Sequence, residues 1–129
     1  MDQERTQRLT EAFGEPAVAA HVVAVEAAQA KYGKVVEALT AQGSIVCRAP
    51  VDDLEAAYNR YIDGMVDVGL KRESASAVNR KLVEACRLVP SDKKELEAIF
   101  RKRPALAGEL VQQLVKLAGG DDSASIQGN

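Results

Sequence analysis

Apolar residues recur at spacings of three and four along most of this chain, and one short central stretch departs from that rhythm. Near the start, Leu9 and Phe13 lie four apart, which predicts a short helix within the segment 1–15, ended by Gly14. Pro16 stands where a second helix can begin, because a missing N–H is no loss in a first turn. Val18, Val22, Val25, Ala28 and Tyr32 then mark one face of a helix over 16–32, and Gly33 breaks the run. The departure follows. Lys34 to Thr40 carries Val35, Val36 and Leu39, Ser44 to Arg48 carries Ile45, Val46 and Cys47, and Ala41, Gln42 and Gly43 between them suit a turn. A β-hairpin near 34–48 is expected, closed by Pro50, which offers no donor to a ladder. No other stretch reads as strand. Two strands alone are marginal in water, so the hairpin must lie on a helix or join a neighbouring sheet.

From Asp52 onward the helical period returns. Asp52 or Asp53 can cap a helix bearing Leu54, Tyr58, Tyr61, Ile62 and Met65 on one broad stripe, with Gly64 and Gly69 weakening its later part. A further helix over about 74–87 buries Val78, Leu82, Val83 and Cys86 and stops before Pro90. Asp92 followed by Glu95 resembles a capping box for a short helix with Leu96, Ile99 and Phe100. Pro104 opens the last helix, where Leu106, Leu110, Leu114 and Leu117 form the clearest stripe in the chain and Gly119 and Gly120 provide a stop. The polar residues 120–129 read as a flexible tail. The fold class expected is mainly α with one small β-hairpin (α+β): an N-terminal helix, the hairpin, then a C-terminal helical bundle in a single domain over 16–119.

Composition agrees with one such domain, since 129 residues suit a single core. Hydrophobic residues make up 47% but aromatics only 4%, so the core must pack through many small aliphatic contacts. A net charge of −2 argues against a protein whose main task is to neutralise phosphates over a broad surface. The charge is uneven, however: the block 71–103 carries +5 and the remainder −7. Such a dipole suits an acidic partner or head-to-tail pairing of copies, although solvated helix faces produce the same count. Met1 to Arg8 is polar and carries both charge signs, unlike a signal peptide, and no apolar run of membrane-spanning length occurs.

Candidate chemistry is sparse. His21, the single histidine, sits among Ala19, Ala20, Val22 and Val23 and reads as a packing or surface residue. Cys47 and Cys86 lack metal or redox spacing and read as buried thiols of a reducing compartment. The pairs Asp52 with Asp53 and Asp121 with Asp122 suit capping and solubility, and Gly119 and Gly120 follow a helix where a phosphate loop would precede one. Arg101, Lys102 and Arg103, with Lys93 and Lys94, form the best basic patch, but cations at a helix end answer its dipole and no recognition pattern accompanies them. No catalytic, cofactor-binding or metal-binding residues are expected, and nucleic acid is a disfavoured partner.

In the order of its elements, the stretch from about Ala28 to Gly119 resembles the small tail assembly chaperones of long-tailed bacteriophages and prophages. Tyr32, Gly33, Lys34 and Val35 look like that family's lead-in to a hairpin, and Cys47, Arg48, Ala49 and Pro50 like its exit from the second strand. Leu82, Val83, Cys86 and Pro90 resemble its helix ending in Cys and then Pro. Arg103, Pro104 and Ala105, followed by Leu114, Leu117, Ala118 and Gly119, resemble its closing helix. The Ala-rich helix from Ala17 to Ala30 departs from the pattern. The resemblance implies a non-enzymatic chaperone in the host bacterial cytoplasm that coats the tape measure protein and recruits tail tube protein. A structural or adaptor protein retained in the virion, and a DNA-packaging or regulatory DNA-binding protein, are the alternatives. By physical reasoning, a groove for a partner helix would be lined by Tyr58, Tyr61, Leu106, Leu110, Leu114 and Leu117, unless these are simply core. The hairpin, through Val35, Val36, Ile45 and Val46, would pair edge to edge with neighbouring copies in a homo-oligomer.

Overall fold

The computed structural model describes residues 2–119. Helices α1 (Gln3–Phe13) and α2 (Glu15–Tyr32) lead into strands β1 (Val35–Thr40) and β2 (Gly43–Arg48). A 3-10 turn at Asp52–Leu54 precedes α3 (Glu55–Gly69) and α4 (Ala75–Cys86), and strand β3 (Arg87–Val89) is followed by α5 (Lys93–Lys102) and α6 (Leu106–Ala118). The fold is mainly α with a small antiparallel sheet of order β1-β2-β3. The tail expected over 120–129 lies outside the described residues.

Alternation along the hairpin divides the molecule into layers, since successive strand side chains point to opposite faces. The register pairs Val36 with Cys47 and Ala38 with Ile45, and these four residues pack into the main core with side chains of α4, α5 and α6. On the other face, Val35 and Val46 meet Val25 and Ala28 of α2, while Leu39 meets Leu9 of α1 and Val18 of α2. Helices cover both faces, so every residue of β1 is buried. This explains why the hairpin reads as nearly unbroken apolar runs.

The hairpin gains a third strand that its sequence did not announce. Arg87 to Val89 was expected as the end of a helix and a loop, but α4 ends at Cys86 and Arg87 turns to extended backbone. The free edge of β2 accepts it, pairing Val46 with Val89 and Cys47 with Arg87 around an irregularity. Pro90 adds a local reason, because a residue preceding proline is pushed away from helical backbone. Capping also differs at one site. No side chain caps α3; Asp53 instead accepts a hydrogen bond from the Arg48 guanidinium at 2.5 Å. Asp92 caps α5 as expected, Ser74 caps α4, and Gly14 ends α1 at a positive φ of 91°. Pro104 lies in the turn before α6, which begins at Leu106.

The groove expected along the leucines of α6 is corrected by this packing. Leu106, Leu110 and Leu114 are at most 1% exposed and Leu117 is 9% exposed, so the stripe of α6 is the centre of the main core and lines no open groove. Val35, Val36, Ile45 and Val46 are likewise buried inside the chain, at 6% exposure or less. Their side chains serve the layers above and below the sheet, so edge-to-edge pairing of copies would run through the backbone of β1, which stands at the end of the strand order.

Candidate protein-binding face

Helix α3 buries only one residue, Ala57. Its inner side is held by Tyr61, which packs on the main core, and by Gly64, which lies so close to α4 that an added Cβ would stand 2.8 Å from Val78 Cγ1. A groove of about 310 Å³ runs between α3 and α4, edged by Arg60, Asp63, Asp67, Glu73 and Lys81.

The outer side is apolar as well. Ile62, Val66 and Leu70, four residues apart, are 45%, 59% and 55% exposed, and half-buried Tyr58 extends the row by one turn. Five large hydrophobic residues are exposed among the described residues, and three of them stand on this single ridge. Isolated exposed hydrophobics are ordinary, whereas a contiguous row marks a contact surface. A surface helix normally presents one apolar stripe to its core and a polar face to water. Here the second stripe has no partner among the described residues.

Of the residues expected to bind a partner, Tyr58 and Tyr61 do come together, their ring centroids 6.0 Å apart and their planes inclined by 30°. Burial first, and Tyr58 second, pushes the Tyr61 hydroxyl above its ordinary pKa. The leucines of α6 do not join them at the surface. Val66 and Leu70 were missed, although their spacing from Tyr58 and Ile62 was visible in the chain. The expected single stripe in fact divides into an inner row around Ala57, Tyr61 and Gly64 and an outer row from Tyr58 to Leu70.

A polar cluster beneath α1 is the other concentration of functional side chains. Both guanidinium arms of Arg5 donate to the Glu37 carboxylate, one of them at 2.7 Å. His21 Nε2 lies 2.9 Å from Glu37 Oε1, and its Nδ1 lies 2.8 Å from Ser44 Oγ. Both contacts are satisfied by an imidazole that donates from Nε2 and accepts the serine hydroxyl at Nδ1. Burial works to raise the Glu37 pKa, but the hydrogen bonds from His21 and Arg5, with the charge of Arg5, outweigh it and hold the carboxyl below its ordinary range. Arg5, His21 and Glu37 are each at most 6% exposed. With no approach for a substrate, the cluster acts as an internal clasp joining α1, α2 and the hairpin.

The remaining candidates fall into structural places. Cys47 and Cys86 are buried in the main core, and burial raises both thiols, Cys86 to about 12. Within the basic patch, Lys93 stands 3.8 Å from Glu84 and Arg103 3.9 Å from Glu109. Among the described residues no group of His, Cys, Asp and Glu is arranged to hold a metal ion, and no helix is long and apolar enough to cross a membrane. Comparison with known proteins finds no matching family model, curated protein or solved structure.

Proposed function

We propose that this chain is a non-enzymatic protein-binding domain that holds an amphipathic helix of a partner against the outer face of α3. The observation that supports this reading is the ridge Tyr58, Ile62, Val66 and Leu70, unpartnered among the described residues, on a helix already anchored by its opposite side. An incoming helix with its own apolar row would cover the ridge, in the way that amphipathic helices dock on apolar surfaces. The resemblance to tail assembly chaperones supplies the candidate partner. A tape measure protein is a long helical chain whose apolar stripe needs cover before assembly, and many copies of a small domain with one exposed ridge could provide it in the host cytoplasm. Tail tube protein would then be recruited to the coated complex.

Co-expression with the long helical protein encoded next to this chain tests the reading. The expected result is a soluble complex containing several copies, lost in an Ile62→Glu/Val66→Glu double variant whose thermal melt matches the parent. Failure of the parent chain to form any complex, together with its recovery in purified particles, would overturn the chaperone reading in favour of a retained adaptor.

A further inference from the structure

We infer that in the absence of a partner the α3 ridge is covered by the same ridge of a second copy, the two helices running antiparallel. This rests on the reading of α3 as a docking face, but not on the identity of any foreign partner. Charge at the two ends of the helix selects both the occupant and its direction. Asp52, Asp53 and Glu55 stand exposed at the N-terminal end, and Lys71 and Arg72 stand exposed just past the C-terminal end. Asp53 is engaged by Arg48, whereas Glu55, Lys71 and Arg72 have no ion-pair partner among the described residues. A two-fold axis near the middle of α3 sets Tyr58 opposite Leu70 and Ile62 opposite Val66. It also brings the acidic end of each copy to the basic end of the other. A parallel pair would set acid against acid and base against base, with the helix dipoles aligned. Glu73 follows the basic pair but is turned onto its own chain, accepting from the Ser74 N–H at 2.9 Å. Asp63 and Asp67, which would repel across the axis, edge the groove toward α4.

The area sets the strength. A helix of 15 residues is only about 22 Å long, so its ridge covers less than the roughly 800 Å² per partner that stable complexes bury. We place the pair's dissociation constant on the order of 10–100 µM, as for a small transient contact, weak enough for a longer partner helix to displace the second copy.

Sedimentation equilibrium of the full chain across a concentration series spanning that range tests the inference. The parent is expected to pass from monomer to dimer and to dissociate more readily at high salt. Ile62→Glu should remain monomeric with an unchanged melt. Lys71→Glu should weaken the pair at least about fivefold by opposing Glu55 twice, and adding Glu55→Lys should restore it. Because Cys47 and Cys86 are buried, added thiols report direction. A mixture of Tyr58→Cys and Leu70→Cys should cross-link under mild oxidation, whereas Leu70→Cys alone should not. A parent chain monomeric throughout the series, a dimer unaffected by Ile62→Glu, or self-cross-linking of Leu70→Cys would overturn the proposal. Partner capture by a chain that stays monomeric would do so too while leaving the docking face intact.

Discussion

Replacing Arg5 with leucine removes the cation that faces Glu37 beneath α1. Both residues are nearly inaccessible, at 4% and 6% exposure, and the guanidinium contacts the carboxylate through both arms. Deleting one partner of a buried ion pair leaves the other charge uncompensated, which costs about 3–5 kcal/mol. His21 stays 2.9 Å from Oε1 and offsets part of that loss, so a value near the lower end, about 3 kcal/mol, is expected. A domain of this size is stable by roughly 5–15 kcal/mol, and each kcal/mol moves its melting midpoint by about 3–5 °C. The variant should therefore melt about 10 °C or more below the parent. The loss should be felt first at α1, where Leu9 is the one buried apolar residue. Urea titration gives the total, and amide hydrogen exchange over Gln3–Phe13 gives its location. Arg5→Leu/Glu37→Leu, which removes both charges together, should recover part of the stability, the rest being withheld by the buried His21 Nε2–H left without its acceptor. If Arg5→Leu stays within about 0.5 kcal/mol of the parent, or if the double variant is no better than the single, the clasp does not hold α1 and the argument fails.

The same carboxylate carries a pH dependence. Because its folded pKa lies below the ordinary value of 4.5, its contribution is present above that value and is lost as pH falls through the folded pKa. Acid titration of stability should steepen below 4.5, and Glu37→Gln should flatten that limb while lowering stability at neutral pH. Gly64→Ala should destabilise by about 1–3 kcal/mol, since the stiff Val78 side chain stands 2.8 Å from the new Cβ and overpacking exceeds the gain in helix propensity. Gly69→Ala, which meets nothing within 4 Å, should be neutral or gain up to about 1 kcal/mol by thermal denaturation. Cys47 and Cys86 should resist an aromatic disulfide reagent in the folded chain and react only on unfolding, because both are buried with raised pKa values. Rapid labelling under native conditions would contradict their placement in the core.

Sequence by itself determined the local elements. The spacings of Val18, Val25 and Ala28, of Val78, Leu82 and Cys86, and of the four leucines of α6 each encode a helix and its buried side. Gly14, Ser74 and Asp92 mark ends, and the two apolar runs around Ala41 and Gln42 encode the hairpin. Those signals are short-range and depend on backbone period and capping chemistry. Three other features belonged to the tertiary structure alone. β3 forms because β2 presents an unsatisfied edge to a segment too short to declare itself a strand. The clasp of Arg5, His21 and Glu37 joins residues as far as 32 positions apart, and no local pattern links a charge on the first helix to a carboxylate on a strand. The division of α3 into an inner and an outer apolar row was also undecided by periodicity, because a helix apolar on two sides has no preferred side until α4 is docked against Gly64. Hydrophobic patterning states how much surface a helix would hide, and only packing decides which part remains for another molecule to cover.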